Sequence, residues 1–330
     1  MRKPLPRILT AFAAVFVACL ALEGLYRRQI FDTYQAELRA YNSEQLHDSC
    51  DRPTLLAMGD SFTAGHGSYA GILQRDLSKW RVIVSAVSGT GVLEATYRAP
   101  RRFSRFRPSI FVYQVYVGND LFDLRHPINW RATSPLRNLY WLFGNYFRVL
   151  NFTNYRTRQL LEPANAPADA PDDMARFSVD RYDPRVKTYL HAEPGLIEDS
   201  ILVQGARRDD YARYTDRLAD LLAYCTPGTC RAYVLVVPHV SQVNAEYIGY
   251  MTQMGASFTN PAALRQDDYP FVAGLRDRFK GSSNVEVINP LPELRAAQAQ
   301  KPMYFPNDEH LNAAGQQEIA ALLTRRLQLR

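Results

Sequence analysis

Residues 55–67 read LLAMGDSFTAGHG. An apolar run stops at Gly59, and an acid, a serine, an aromatic and then small residues follow. With Thr54 in front, TLLAMGD is the first strong strand signal of the chain, and the small polar residues behind it mark a turn. Ser61 is then either a nucleophile exposed at a strand end or a polar turn residue. A serine hydroxyl attacks only when a base takes its proton and hydrogen-bond donors face the developing oxyanion. Both must come from elsewhere in the chain.

Four more stretches carry the strand signal: RVIVSAVSG (81–89), SIFVYQVYVGND (109–120), RAYVLVVPH (231–239) and NVEVINP (284–290). Helical segments lie between them, at about 68–79 and ending near Phe106. LNAAGQQEIAALLTRRL (311–327) closes the chain as an amphipathic helix with a basic last turn, which suits the helix dipole. Apolar strands alternating with helices predict a parallel sheet of about five strands covered on both faces, a three-layer α/β/α sandwich. Function in such sheets sits at the carboxyl ends of the strands. Here those ends carry Gly59-Asp60-Ser61, Ser88-Gly89, Gly118-Asn119-Asp120 and Pro238-His239.

The 330 residues, 47% hydrophobic and 22% charged, suffice for one large domain or two small ones and exclude a disordered or fibrous chain. The net charge of +6 includes a cluster at Arg98, Arg101, Arg102, Arg105 and Arg107. No nucleic-acid motif accompanies it, so it reads as a solvated helix end, and no nucleic-acid partner is expected. The first residues, MRKPLPR, are basic, and residues 8–22 are apolar except Thr10. This is the layout of a membrane anchor or signal peptide. No good cleavage site follows, and Cys19 sits in a poor lipoprotein box, so an uncleaved signal anchor over 1–26 is favoured over secretion after cleavage. Arg2, Lys3 and Arg7 then stay in the cytoplasm and the remainder lies outside, in the periplasm or at the cell surface.

Residues 27–52 read as a continuing amphipathic helix, a stalk, leaving a domain over 53–330. An irregular insert at 121–205 interrupts that domain. Its aromatic part (about 136–162) is expected to be helical, and its Pro/Ala/Asp stretch (163–173) mobile. The aromatics pack the insert's own small core in the preferred reading; a substrate cleft or a membrane-surface contact are the alternatives. Cys225 and Cys230 flank TPGT, a turn, and suit a small disulfide loop in an oxidising compartment; two unpaired thiols are the other reading. Cys50 has no obvious partner. No Cys/His spacing resembles a zinc site, and the chemistry below needs neither metal nor cofactor.

Of six histidines, His310 stands apart, in YFPNDEHLNAAG, two residues after Asp308 and just before the closing helix. An Asp near a His orients the imidazole and stabilises the imidazolium. Taken in order, GDSF, SGTG, GND and DEHLNAAG resemble the four-block signature of the SGNH hydrolases, also called the GDSL esterase/lipase family. The blocks span 59–315. The resemblance implies that Ser61 is the nucleophile and that its own N–H, the N–H of Gly89 (with Gly91 as the alternative register) and the side-chain amide of Asn119 form the oxyanion hole. It makes His310 the general base and then acid, and Asp308 its orienting carboxylate. Many members place that acid three residues before the histidine, where this chain has Asn307; others use the two-residue spacing found here. Asp60 and Asp120 read as turn or cap residues. His66 and His239 lie near the same edge without an assigned role, and His47, His126 and His191 are unplaced. The implied activity is hydrolysis of a carboxylic ester outside the cytoplasm, on O-acyl (acetyl) groups of a carbohydrate or on lipid or small esters. Transfer of the acyl group to a cell-envelope polysaccharide is the first alternative. A non-catalytic, membrane-anchored binding or assembly protein is the second.

Overall fold

In the computed structural model, which describes residues 5–46, 52–161 and 176–329, the five apolar runs become β1 (Thr54–Met58), β2 (Arg81–Val84), β3 (Ile110–Tyr116), β4 (Arg231–Val237) and β5 (Val285–Ile288). Each strand stops before the small polar residues that close its run, because those residues turn out of the sheet. His47, Cys50 and the 163–173 stretch lie outside the described residues. All pairings are parallel and the order is β2-β1-β3-β4-β5. The chain therefore leaves β1 in one direction to form β2 and returns past it to form β3. That reversal puts a topological switch point at the carboxyl ends of β1 and β3.

Fifteen α-helices fall among the described residues: α1 (Leu5–Arg27), α2 (Gln35–Tyr41), α3 (Tyr69–Asp76), α4 (Val92–Phe106), α5 (Asp120–Leu124), α6 (Pro135–Gly144), α7 (Arg148–Leu161), α8 (Pro184–Ala192), α9 (Leu196–Leu202), α10 (Arg207–Leu222), α11 (Val240–Val243), α12 (Glu246–Gln253), α13 (Pro270–Phe279), α14 (Leu291–Gln298) and α15 (Ala313–Arg326). Right-handed crossovers place α3 and α4 on opposite faces of the sheet. α15 packs beside α3, and α10 beside α4, which completes the three layers. β1 and β3 are buried along their whole length. That is why both read as near-continuous apolar runs rather than alternating ones. Cys225 and Cys230 are disulfide-bonded across the turn between α10 and β4.

The segment after α1 departs from the continuous helix expected there. α1 ends at Arg27, Gln29 takes a left-handed conformation (φ 47°), and the chain folds back onto the domain. Tyr34 and Leu38 are buried there. Asn42 reaches the free edge of β2: its Nδ2 donates to Val84 O at 2.7 Å and its Oδ1 accepts from Val84 N–H at 2.8 Å. An edge strand left bare is a template for aggregation, and this segment covers it.

The arginines of α4 correct the solvated-end reading. Arg98 and Arg102 are 2% and 1% exposed. They point inward because the N-terminal segment supplies partners that the local sequence does not. Arg102 makes a forked pair with Asp32 (2.6 and 2.8 Å) and donates to Ser85 Oγ, while Arg98 lies over the Tyr34 ring at 5.0 Å. Asp32→Ala leaves Arg102 buried without its carboxylate, so it is expected to destabilise the folded chain by ~3–5 kcal/mol. An exposed control, Asp76→Ala, is expected to change the guanidinium unfolding midpoint little.

Candidate active site

The turn after β1 is built by Asp60. Its backbone carbonyl accepts from Thr63 and Ala64 N–H, and its Oδ1 accepts from Phe62 N–H at 2.9 Å. Gln114, the one polar residue inside β3, accepts from Asp60 N–H through Oε1 and from Thr63 Oγ1, and so locks this turn onto the neighbouring strand. The small tight turn leaves Ser61 partly exposed at the strand's carboxyl end.

His310 arrives on a different device. Residues 304–311 form a short hairpin closed by the antiparallel Tyr304–Leu311 bridge, with Phe305 N–H donating to His310 O. Asn312 caps α15 by accepting from Gly315 N–H. A side chain at Gly315 would collide with Met303 O, so this glycine lets α15 sit directly against the hairpin. Gln316 then bridges the two devices, donating to Phe62 O and accepting from Tyr69 N–H. The Phe62 ring lies between His310 (centroids 4.7 Å apart) and Tyr116 (4.3 Å), which fixes the imidazole plane.

The result is a chain of two short hydrogen bonds. Ser61 Oγ and His310 Nε2 are 2.6 Å apart, and His310 Nδ1 and Asp308 Oδ1 are 2.6 Å apart. Asp308 Oδ1 also accepts His310 N–H at 3.1 Å, so the two-residue spacing holds backbone and ring with one carboxylate oxygen. Asn307, in the three-residue position, instead accepts from Ser178 N–H and donates to Arg176 O, tying down the chain ahead of α8.

The three expected oxyanion donors sit on the turns after β1, β2 and β3. Gly89 is in the left-handed region (φ 70°), a conformation that favours glycine, and its loop is exposed. Gly91 is committed elsewhere: its N–H donates to Glu94 Oε2 at 3.1 Å as the cap of α4. Of the two registers, only Gly89 has an N–H without such a bond among the described residues. Asn119 precedes α5 but makes no side-chain capping bond, and its Oδ1 has no partner.

Burial disfavours charge on His310, but the hydrogen bond and charge of Asp308, with Glu309 and Asp60 nearby, outweigh it and raise its pKa to about 9. Burial likewise works against the Asp308 carboxylate, and its contacts with His310 prevail to hold its pKa below the usual range. Four further carboxyls are pushed upward, chiefly by burial: Asp60 to about 6, Glu309 to about 7, Asp123 to about 8, and Asp120 well above its ordinary value. Asp120 accepts from Tyr214 OH at 2.7 Å and shapes the turn rather than the site. Glu309 and Asp123 carry no sequence signal of their own. Their burial comes from elements distant in the chain.

Of the other described histidines, His239 and His126 serve packing. His239 is buried as the cap of α11, accepts from Ser241 N–H, and is held neutral by burial, its pKa about 3. His126 stacks on Trp141 and is depressed to about 3 by burial and by Arg148. His66 is exposed with its ring edge-on to Tyr41, and exposed His191 contacts Lys187 O.

No family model matches the sequence, and no curated protein matches it. Solved structures do. TesA shares 12% identity over 84% of this chain and 99% of its own, with a TM-score of 0.41. A catalytic mutant of Axe2, an acetylxylan esterase from Geobacillus stearothermophilus, shares 12% over 83% and 94%, also at 0.41. LAE5, an alpha/beta hydrolase enzyme from the metagenome of Lake Arreo, Spain, shares 14% over 84% and 96%, at 0.40. These are distant likenesses, and the chemistry of the site is argued from this chain's own atoms.

Titration of the His310 ring by NMR is expected to give a pKa above 6.5, toward about 9. Asp308→Asn removes the largest raising contributor and is expected to lower that value by at least about one unit.

Proposed function

We propose that the protein is a membrane-anchored serine esterase working outside the cytoplasm. The observation that carries this reading is the aligned Ser61–His310–Asp308 chain at 2.6 Å per step. Asp308 accepts a hydrogen bond from the Nδ1–H of His310, which leaves Nε2 free to take the proton from Ser61 Oγ. The alkoxide attacks the ester carbonyl. The oxyanion is met by the N–H groups of Ser61 and Gly89 and by the Asn119 amide. His310 returns the proton to the leaving alcohol, and water activated by His310 then releases the acid from the acyl-enzyme. Burial raises the pKa values of Asp120, Asp123 and Glu309, which weakens their repulsion of the oxyanion.

The substrate proposed is an O-acylated carbohydrate, acetyl groups first, or a lipid or small ester. Extracytoplasmic placement is supported by α1, which from Leu9 to Arg27 is long and apolar enough to span a bilayer, and by the Cys225–Cys230 bond. In this reading residues 1–26 anchor the chain and 53–330 carry the site, with 121–205 as an insert.

The test is turnover of an activated acetyl ester together with fluorophosphonate labelling. Ser61→Ala is expected to abolish labelling and to lower kcat by ~10⁴-fold or more. Asn119→Ala is expected to cost about 10²–10³-fold in kcat with little change in KM. No turnover and no labelling of the wild-type chain would overturn the enzyme reading in favour of a binding or assembly protein. Acetylated oligosaccharide exceeding free acetate, when both water and sugar are present, would replace hydrolysis with transfer.

His310 must be neutral to act as base, and its pKa lies above the usual value. So kcat/KM for an uncharged ester is expected to rise from pH 6 toward about 9. In Asp308→Asn the inflection is expected at lower pH, with a lower plateau.

A further inference from the structure

We propose that α6 is a second membrane contact, its outward face lying in the outer leaflet beside α1; this rests on the reading of α1 as an anchor. Leu136, Leu139, Leu142, Phe143 and, just beyond the helix, Tyr146 are all exposed. Their spacing of three, three, one and three puts them on one helical face. The opposite face is buried through Asn138 and Trp141. An apolar stripe of this kind on an aqueous surface marks a site of interaction.

Contacts with α1 say what covers it. The Phe147 ring meets Phe16 edge-on with centroids 6.3 Å apart. Arg27 donates to Tyr146 O at 2.8 Å, and Val149 N–H donates to Glu23 Oε2 at 2.8 Å. Glu23, the acid within the apolar window, is thereby satisfied by Arg27 and the start of α7. Phe16 lies about 16 Å along α1 from Arg27 at the helical rise of ~1.5 Å per residue. Half of a ~30 Å hydrocarbon core is the same distance. A spanning α1 therefore carries the corner between α6 and α7 down to the depth of the outer leaflet, and the stripe on α6 faces acyl chains there. Exposed Trp130 and Tyr146 are the aromatic types that settle at the interface. Trp141 of α6 also packs on Phe122 of α5, the helix directly after Asn119, so the lipid contact lies one helix from the active-site edge.

The full chain carrying Cys19→Ala and Cys50→Ala would be reconstituted in phosphatidylcholine/phosphatidylglycerol vesicles. An environment-sensitive fluorophore would then be attached, one site at a time, to Leu139→Cys, Phe143→Cys, Val15→Cys in α1 and Lys280→Cys near the distant β5 edge. Lipids bearing a nitroxide on the acyl chain are expected to quench positions 139 and 143 to within about twofold of position 15, and to leave 280 unquenched. Quenching at 15 with 139 and 143 behaving like 280 overturns the α6 contact and leaves the anchor standing. Absence of quenching at 15 overturns the anchor, and the α6 contact with it. Unfolding midpoints matching the parent chain in each variant establish that the labels report on the folded protein.

Discussion

Parallel strands all end on the same edge, and that constraint organises everything chemical in this protein. The turns after β1, β2 and β3 carry Ser61, Gly89 and Asn119 because each strand leaves the sheet on one side. The switch between β1 and β3 opens a crevice between neighbouring turns. His310 has no strand of its own to deliver it. It depends on a hairpin pressed against α15 and on Gln316, whose two hydrogen bonds register that hairpin against the serine turn. With the Phe62 ring packed on His310 and α15 packed on α3, that bridge sets the distance between two halves of the candidate triad that lie 249 residues apart in sequence.

The electrostatics follow from the same burial. Burial at the strand ends disfavours charge on the carboxyls there and raises their pKa values. Asp60, Asp123 and Glu309 all shift upward for this reason. Asp308 escapes because it has His310 as partner and remains part-exposed, its side chain retaining 43% of its accessible surface. Asp308 is thus held below its ordinary value while its neighbours are pushed above theirs, and the imidazole beside it is biased toward the charged form.

The N-terminal region is part of the folded domain. The residues after α1 close the β2 edge through Asn42 and neutralise buried Arg102 through Asp32. Tyr26 and Tyr34 form a small cluster with Val87, two residues before Gly89. The base of the apolar helix and the loop that carries Gly89 therefore share one packing unit. Removal of the N-terminal region would therefore act on that loop.

What the sequence determined by itself is what depends on local pattern. The five apolar runs, the polar residues that end them, the closing helix and the apolar N-terminal helix are all visible as periodicity and composition. The order of the four short blocks pointed to Ser61, His310 and Asp308. The β-hairpin that carries His310, the role of Gln114 and Gln316, and the raised Asp123 and Glu309 were not legible, because each depends on a partner far away in the chain. Glu94 occupies the Gly91 N–H, which leaves the Gly89 N–H as the candidate donor of the two. Arg98 and Arg102 show the limit most directly. Charge on a helix reads as solvent-facing until tertiary packing brings an aspartate and an aromatic ring against it, and only the folded chain records that they arrive from residues 32 and 34.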